Sequence, residues 1–155
     1  MRTSRLFLAV AALALAAPCL VPAAPAPKAA KGAARAVSVQ AILITASNQK
    51  GGVDRKLAAY AENLKRNLPF DTFRFAAENR TTLPEGGRAT VTFAGDHRLE
   101  LEDSPGDGIR LKVFWLTGPD VVISTTLTLQ PGVPGVLVRR GAGSGEVPVV
   151  LLIVR

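Results

Sequence analysis

His97 is the chain's single histidine, with Asp96 beside it and serines elsewhere, the residue types of a nucleophilic triad. A triad works only when the base is hydrogen-bonded to both the nucleophile and an orienting carboxylate, a geometry that adjacency in sequence does not supply. Residues 95–97 (GDH) read as a tight turn, so the expectation is an exposed turn histidine. Glu100 and Glu102 point the same way from one strand and mimic the paired carboxylates of a glycosidase. Such acids flank a cleft, and a domain with 5% aromatic residues offers little cleft, so the pair reads as a solvated face. Asp103 and Asp107, with Gly106 and Gly108, could approach Ca²⁺ through a turn but lack the ligand count of a dedicated loop. One His and one Cys exclude a multi-histidine metal site and an internal disulfide. No catalytic, cofactor-binding or metal-ligating residue is expected. Arg139 and Arg140, which open the Gly-rich stretch 139–146 (RRGAGSGE), are the exposed basic pair expected to meet a partner.

Residues 47–56 (SNQKGGVDRK) lie between an apolar run and an amphipathic one, the strand-to-helix position of a phosphate-binding loop. Asn48, Gln49, Lys50, Gly51, Gly52 and Val53 resemble the deviant phosphate loop of ParA/MinD-type ATPases, N-Q-K-G-G-V-G-K-T. That resemblance implies backbone N–H groups and lysines around phosphate, and a hydroxyl on Mg²⁺. The match ends where the chemistry begins. Asp54 replaces a glycine and brings negative charge toward phosphate, Arg55 replaces the lysine, and Lys56 replaces the Mg²⁺-binding threonine. No βαβ alternation follows, so the motif reads as a decoy: its glycines make a turn and Asp54 caps the next helix.

The N-terminus explains much of the +7 formal charge. Arg2 and Arg5 precede an apolar run at residues 6–17 (LFLAVAALALAA), and Pro18 and Pro22 follow it. Positive charge followed by a short apolar run reads as a secretory signal peptide, residues 1–23, cleaved after Ala23. The run is shorter than the roughly 18 to 20 residues of a spanning helix, so no stable membrane span is expected after signal removal. Ala16-Ala17-Pro18 before Cys19 departs from a lipobox, which argues against lipidation. Residues 24–35 (APAPKAAKGAAR) have nothing large to bury and read as a flexible tether. The remainder, residues 36–155, carries 14 basic and 12 acidic residues, too even a balance for a nucleic-acid face.

That remainder reads as a single compact β-rich domain. Residues 36–46 (AVSVQAILITA) form a strand buried on both faces toward its end. Leu57, Tyr60, Ala61, Leu64 and Leu68 recur at helical spacing after Asp54, and Pro69 stops the helix. Beyond it apolar residues alternate with period two: Ala89, Val91 and Phe93; Leu99 and Leu101; Ile109, Leu111, Val113 and Trp115; and Val121, Ile123, Thr125, Leu127 and Leu129. The hairpin at residues 95–97 is expected to set Phe93 opposite Leu99. Residues 149–154 (VVLLIV) have no polar side, and their expected neighbour is the equally apolar first strand. The fold class is mainly β (α+β). A two-layer β-sandwich or open barrel of seven or eight short strands is expected, with one N-terminal amphipathic helix over one end or face.

The domain also resembles a loose group of short exported bacterial proteins of unassigned function. The likeness lies in the opening V-x-V-x-A-I-L-I-T-A-S-N, the D-x-K-L-A-A-Y-A-E-N-L helix, the L-P-F-D-T-F-R-F segment and a Gly-rich step before a final aliphatic strand. It implies export and fold, not activity. The expected function is a small non-catalytic binding or assembly module of the envelope, periplasmic or secreted, with an unidentified protein or envelope partner and no cofactor. The alternatives are a secreted enzyme inhibitor, a minimal hydrolase using His97, and a nucleotide-binding protein using residues 50–56.

Overall fold

The computed structural model describes residues 36–139 and 145–155; the expected signal peptide and tether, Cys19 and Arg140 lie outside the described residues. The segments without a polar face become the centre. β1 (Val37–Ser47) turns Val39, Ala41 and Leu43 to one side and Ile42, Ile44 and Ala46 to the other, and all six are buried. β8 (Glu146–Val154) divides likewise, with Val150, Leu152 and Val154 against Val149, Leu151 and Ile153. The two strands pair antiparallel from Val39↔Val154 to Ser47↔Glu146, the expected neighbours. β2 (Thr72–Leu83) and β7 (Gly135–Val138) complete a four-stranded sheet in the order β2-β1-β8-β7.

The alternating segments make the second sheet. β3 (Arg88–Thr92), β4 (His97–Ser104), β5 (Ile109–Thr117) and β6 (Asp120–Leu129) follow one another in space as in sequence, each pair antiparallel. The described chain is therefore mainly β, with eight strands in two antiparallel sheets, one short helical segment and no closed barrel. Its main core joins both sheets: Val39, Leu43, Val150 and Leu152 of the first share a cluster with Leu99, Leu101, Leu111, Val113 and Trp115 of the second. This is consistent with a β-sandwich.

The opposite face of β1 and β8 needs a cover, and the helix provides it. Asp54 accepts from the Lys56 N–H at 3.0 Å and starts a 3₁₀ segment, Arg55–Tyr60, that continues as α1 (Ala61–Asn67). The helical spacing thus begins as a tighter turn than an α-helix. Leu57, Leu64 and Leu68 pack with Ile42, Ile44, Leu151 and Ile153 in a second core. Burying each such side chain contributes roughly 1.5–3 kcal/mol, more than a segment this short could gain from intrinsic helicity.

Two β-bulges break the expected period of two. The β1–β2 register passes from Leu43↔Ala77 to Ile44↔Phe75, so Ala76 is extra and the faces exchange. Phe73 and Phe75 consequently join the helix-side core, while Ala77 and Leu83 join the inter-sheet core. In the second sheet the register passes from Trp115↔Ile123 to Leu116↔Val121, leaving Val122 extra. Val121 was expected to share a face with Ile123; the bulge turns it outward, and it is 56% exposed.

The β3–β4 hairpin also differs from expectation. Val91 faces Leu99, and the Phe93 N–H donates to the His97 carbonyl at 2.8 Å. The connecting residues are therefore Ala94, Gly95 and Asp96, with the last two at φ 78° and 61°. Two successive left-handed residues close the turn before His97 is reached, shifting the register by two residues. A shift of two preserves which side chains face the core.

Candidate functional site

Residues 47–56 are brought to the start of the 3₁₀ segment, but three of their backbone donors are already engaged. The Gly52 N–H donates to Thr72 Oγ1 at 3.1 Å, the Asp54 N–H to the Phe73 carbonyl at 2.9 Å, and the Lys56 N–H to Asp54 Oδ1. The Thr72 hydroxyl donates to the Gln49 carbonyl. The glycines have local reasons: Gly52 sits at φ 91°, and a Cβ on Gly51 would lie 2.9 Å from Thr72 Oγ1. A phosphate loop needs such N–H groups turned outward; here β2 takes up those of Gly52 and Asp54, and the Asp54 carboxylate that of Lys56. Lys56 instead lies 4.4 Å from the centre of the Phe75 ring.

The acidic candidates meet bases on the outer face of the second sheet. Glu102 pairs with Arg88 and Glu100 with Arg98, each at 3.3 Å. Asp103 Oδ2 accepts from the Gly86 N–H at 2.7 Å, which ties it into the turn between β2 and β3. Among the described residues no group of three or more His, Cys, Asp or Glu is placed to hold a metal ion. Asn79, in the sequon-like Asn79-Arg80-Thr81, lies within β2 and donates to the Thr92 carbonyl at 3.1 Å.

His97 is not the exposed turn residue expected from sequence. It begins β4, half-buried opposite Thr117, and its Nδ1 accepts the Trp115 indole N–H at 3.3 Å. The Thr117 hydroxyl lies 3.2 Å from the same nitrogen. A lone pair on Nδ1 places the proton of the neutral ring on Nε2. Burial first, and the Arg139 charge second, hold His97 below its ordinary pKa, while Asp96 opposes them. The hydroxyl-to-imidazole spacing is that of a nucleophile and its base, but the indole N–H occupies the same lone pair and the ring is made less basic.

Arg139 arrives at this group from the other sheet. It follows Leu137 by two residues, so it shares that residue's inward direction, and its Nη1 donates to Thr117 Oγ1 at 3.5 Å. Arg139 is half-buried, and Arg140, the other member of the expected basic pair, lies outside the described residues. Arg139, Thr117, His97 and Trp115 thereby link the two sheets through a polar chain at one end of their shared core.

Sequence reasoning did not single out the outer edge of β6. Among the described residues β6 pairs only with β5, along its ten residues. The other terminal strands are shorter, charged or covered. β7 has four residues and β3 five, while β2 carries Arg74, Glu78 and Arg80 and is tied to β3 through Asn79. From Val121 to Leu129 β6 has neither a charge nor a proline; the edge-protecting devices it carries are Asp120 at its start and the bulge at Val122. Its run VVISTTLTL was visible in the sequence; which side would lack a neighbour depended on strand order.

No family model matches the chain, and neither the curated proteins nor the solved structures give a match.

Proposed function

We propose that this chain is an exported, non-catalytic binding or assembly module of the cell envelope, a β-sandwich that takes up a partner strand along β6. The carrying observation is the edge of β6 that no described strand pairs, uncharged from Val121 to Leu129, whose backbone groups beyond the Val122 bulge can continue the ladder into another chain. Strand addition needs no side-chain motif, which suits a chain whose reactive residues serve the fold. His97 is tied to Trp115, Glu100 and Glu102 are paired with arginines, and the N–H groups of Gly52, Asp54 and Lys56 are taken. Export rests on the charged and apolar residues 1–23 and on the resemblance to short exported bacterial proteins.

The test places a photo-crosslinking residue at Ser124, at Thr126, or at Glu62 on α1, in cells making the whole chain. Adducts with an envelope polypeptide from Ser124 and Thr126, and none from Glu62, are expected. No adduct from either β6 position overturns the binding reading. Retention of the uncleaved chain in the cytoplasm overturns export.

A further inference from the structure

We infer that the strand taken up by β6 is an extended acidic segment in which aliphatic and carboxylate side chains alternate, the aliphatic ones closing the margin of the inter-sheet core and the carboxylates meeting Arg110 and Lys112. This rests on the reading of β6 as a pairing edge and adds the chemistry that the edge selects. The Val122 bulge interrupts the ladder, so the stretch open to regular pairing runs from Ile123 to Leu129.

A strand laid beside that stretch continues the pleat, and its side chains alternate between two different surroundings. On the inner side Ile123, Thr125 and Leu127 are half-buried, whereas their cross-strand partners on β5, Trp115, Val113 and Leu111, are fully buried. Ile123 and Leu127 pack against the inter-sheet core. The core thus thins to an apolar margin at β6, and the inner side chains of a further strand would lie against it. Aliphatic groups gain from removing that margin from water, while a charge placed there would lose its own hydration against aliphatic neighbours.

The outer side sets the opposite requirement. Ser124, Thr126 and Thr128 are short and exposed, and their cross-strand partners on β5 are Phe114, Lys112 and Arg110. Glu100 and Glu102 pair with Arg98 and Arg88, but among the described residues neither Lys112 nor Arg110 belongs to an ion pair. Lys112 rests 5.0 Å from the centre of the Phe114 ring. The face beside β6 is therefore positive. Neighbouring strands lie about 4.8 Å apart, so a partner strand would stand about 10 Å from β5. A glutamate reaching from one side and a lysine or arginine from the other span that gap over the threonines. Asp120 stands apart from these cations, registered with Thr117 at the other end of the β5–β6 pair. Such rim charges decide which segment is taken up more than how tightly it is held.

Fluorescence anisotropy of labelled heptapeptides on the full chain tests the assignment. Val-Glu-Val-Glu-Val-Glu-Val is expected to bind and to suppress the Thr126 crosslink. Val-Lys-Val-Lys-Val-Lys-Val is expected to bind at least about fivefold more weakly, and Val-Val-Val-Val-Glu-Glu-Glu, which has the first peptide's composition without its alternation, at least about tenfold more weakly. Replacing both cations, Arg110→Glu with Lys112→Glu, should invert the preference between the glutamate and lysine peptides, and Lys65→Glu on α1 should leave it unchanged. Circular dichroism checks folding; Lys112→Glu alone, expected to narrow the preference, replaces the double variant if that does not fold. Equal binding of the glutamate and lysine peptides, a preference indifferent to the β5 substitutions, or equal binding of the alternating and block peptides overturns the inference. A Thr126 adduct with an envelope polypeptide that the alternating acidic peptide does not suppress overturns it and leaves the binding reading standing. No adduct at Ser124 or Thr126 overturns both.

Discussion

The two sheets use similar aliphatic strands but differ in what covers their outer faces. In the first, β1 and β8 are buried on both sides, the inter-sheet core on one and Leu57, Leu64 and Leu68 on the other. In the second, β4 and β5 bury one side and turn Arg98, Glu100, Glu102, Arg110 and Lys112 outward. The covered sheet is a scaffold whose side chains are committed to packing. The uncovered one ends in β6, whose unpaired backbone is open to another chain. The proposed pairing edge therefore belongs to the sheet with less to bury, and four predictions can break or sharpen that division.

The largest effect is expected where the sheets meet. Trp115→Ala empties a fully buried position in the shared core and should cost about 3–5 kcal/mol in chemical denaturation, enough to unfold much of the population. A loss below about 1 kcal/mol would mean that the sheets do not share a core. Next comes the cover: Leu64→Ala, fully buried against the first sheet, should cost about 2–5 kcal/mol. Val121→Ala, on the exposed start of β6, should change stability by less than about 0.5 kcal/mol. Equal losses from these two variants would contradict the contrast between a covered and an uncovered sheet.

A smaller effect separates a cap from a phosphate loop. Asp54→Ala should lose about 1 kcal/mol by removing the acceptor for the Lys56 N–H, whereas Lys50→Ala should leave both stability and any phosphate binding unaffected. Nucleotide-dependent stabilisation lost in Lys50→Ala would restore the ATPase reading. The smallest effect should be the pH dependence of the polar chain between the sheets. Because His97 is held below its ordinary value of about 6.5, its unfolded form binds protons first as pH falls. Its contribution is complete above about pH 6.5 and is lost as pH drops toward the folded pKa. Denaturation midpoints across that range should fall in the wild type and change less in His97→Gln, and identical profiles would remove His97 from the link.

Much of the architecture was legible because burial imposes simple patterns. Residues 149–154 could have no solvent side, and Ile109, Leu111, Val113 and Trp115 could share only one face; the structure puts them in the core. The pairing of first and last strands followed from the same pattern. The bulges at Ala76 and Val122 were not legible, since neither is a glycine or proline that would mark a break in the ladder. The hairpin register was misplaced because Asp96 adopts φ 61° beside Gly95, a conformation that composition permits but does not require. His97, Thr117 and Arg139 looked unrelated because their meeting depends on which sheet edge comes beside which hairpin. The β6 edge escaped notice for the same reason.

The most direct test of the central claim, that β6 is the edge through which this chain pairs, is residue-resolved amide hydrogen exchange along β6 in the chain alone and in complex with the envelope polypeptide that crosslinks to Ser124 and Thr126. In an antiparallel strand alternate N–H groups point to opposite sides, so β5 can protect only every second amide of a lone edge. In the complex the account predicts that the remaining β6 amides become protected, while exchange along β3 does not change. Fast exchange of those outward amides in the complex would contradict it.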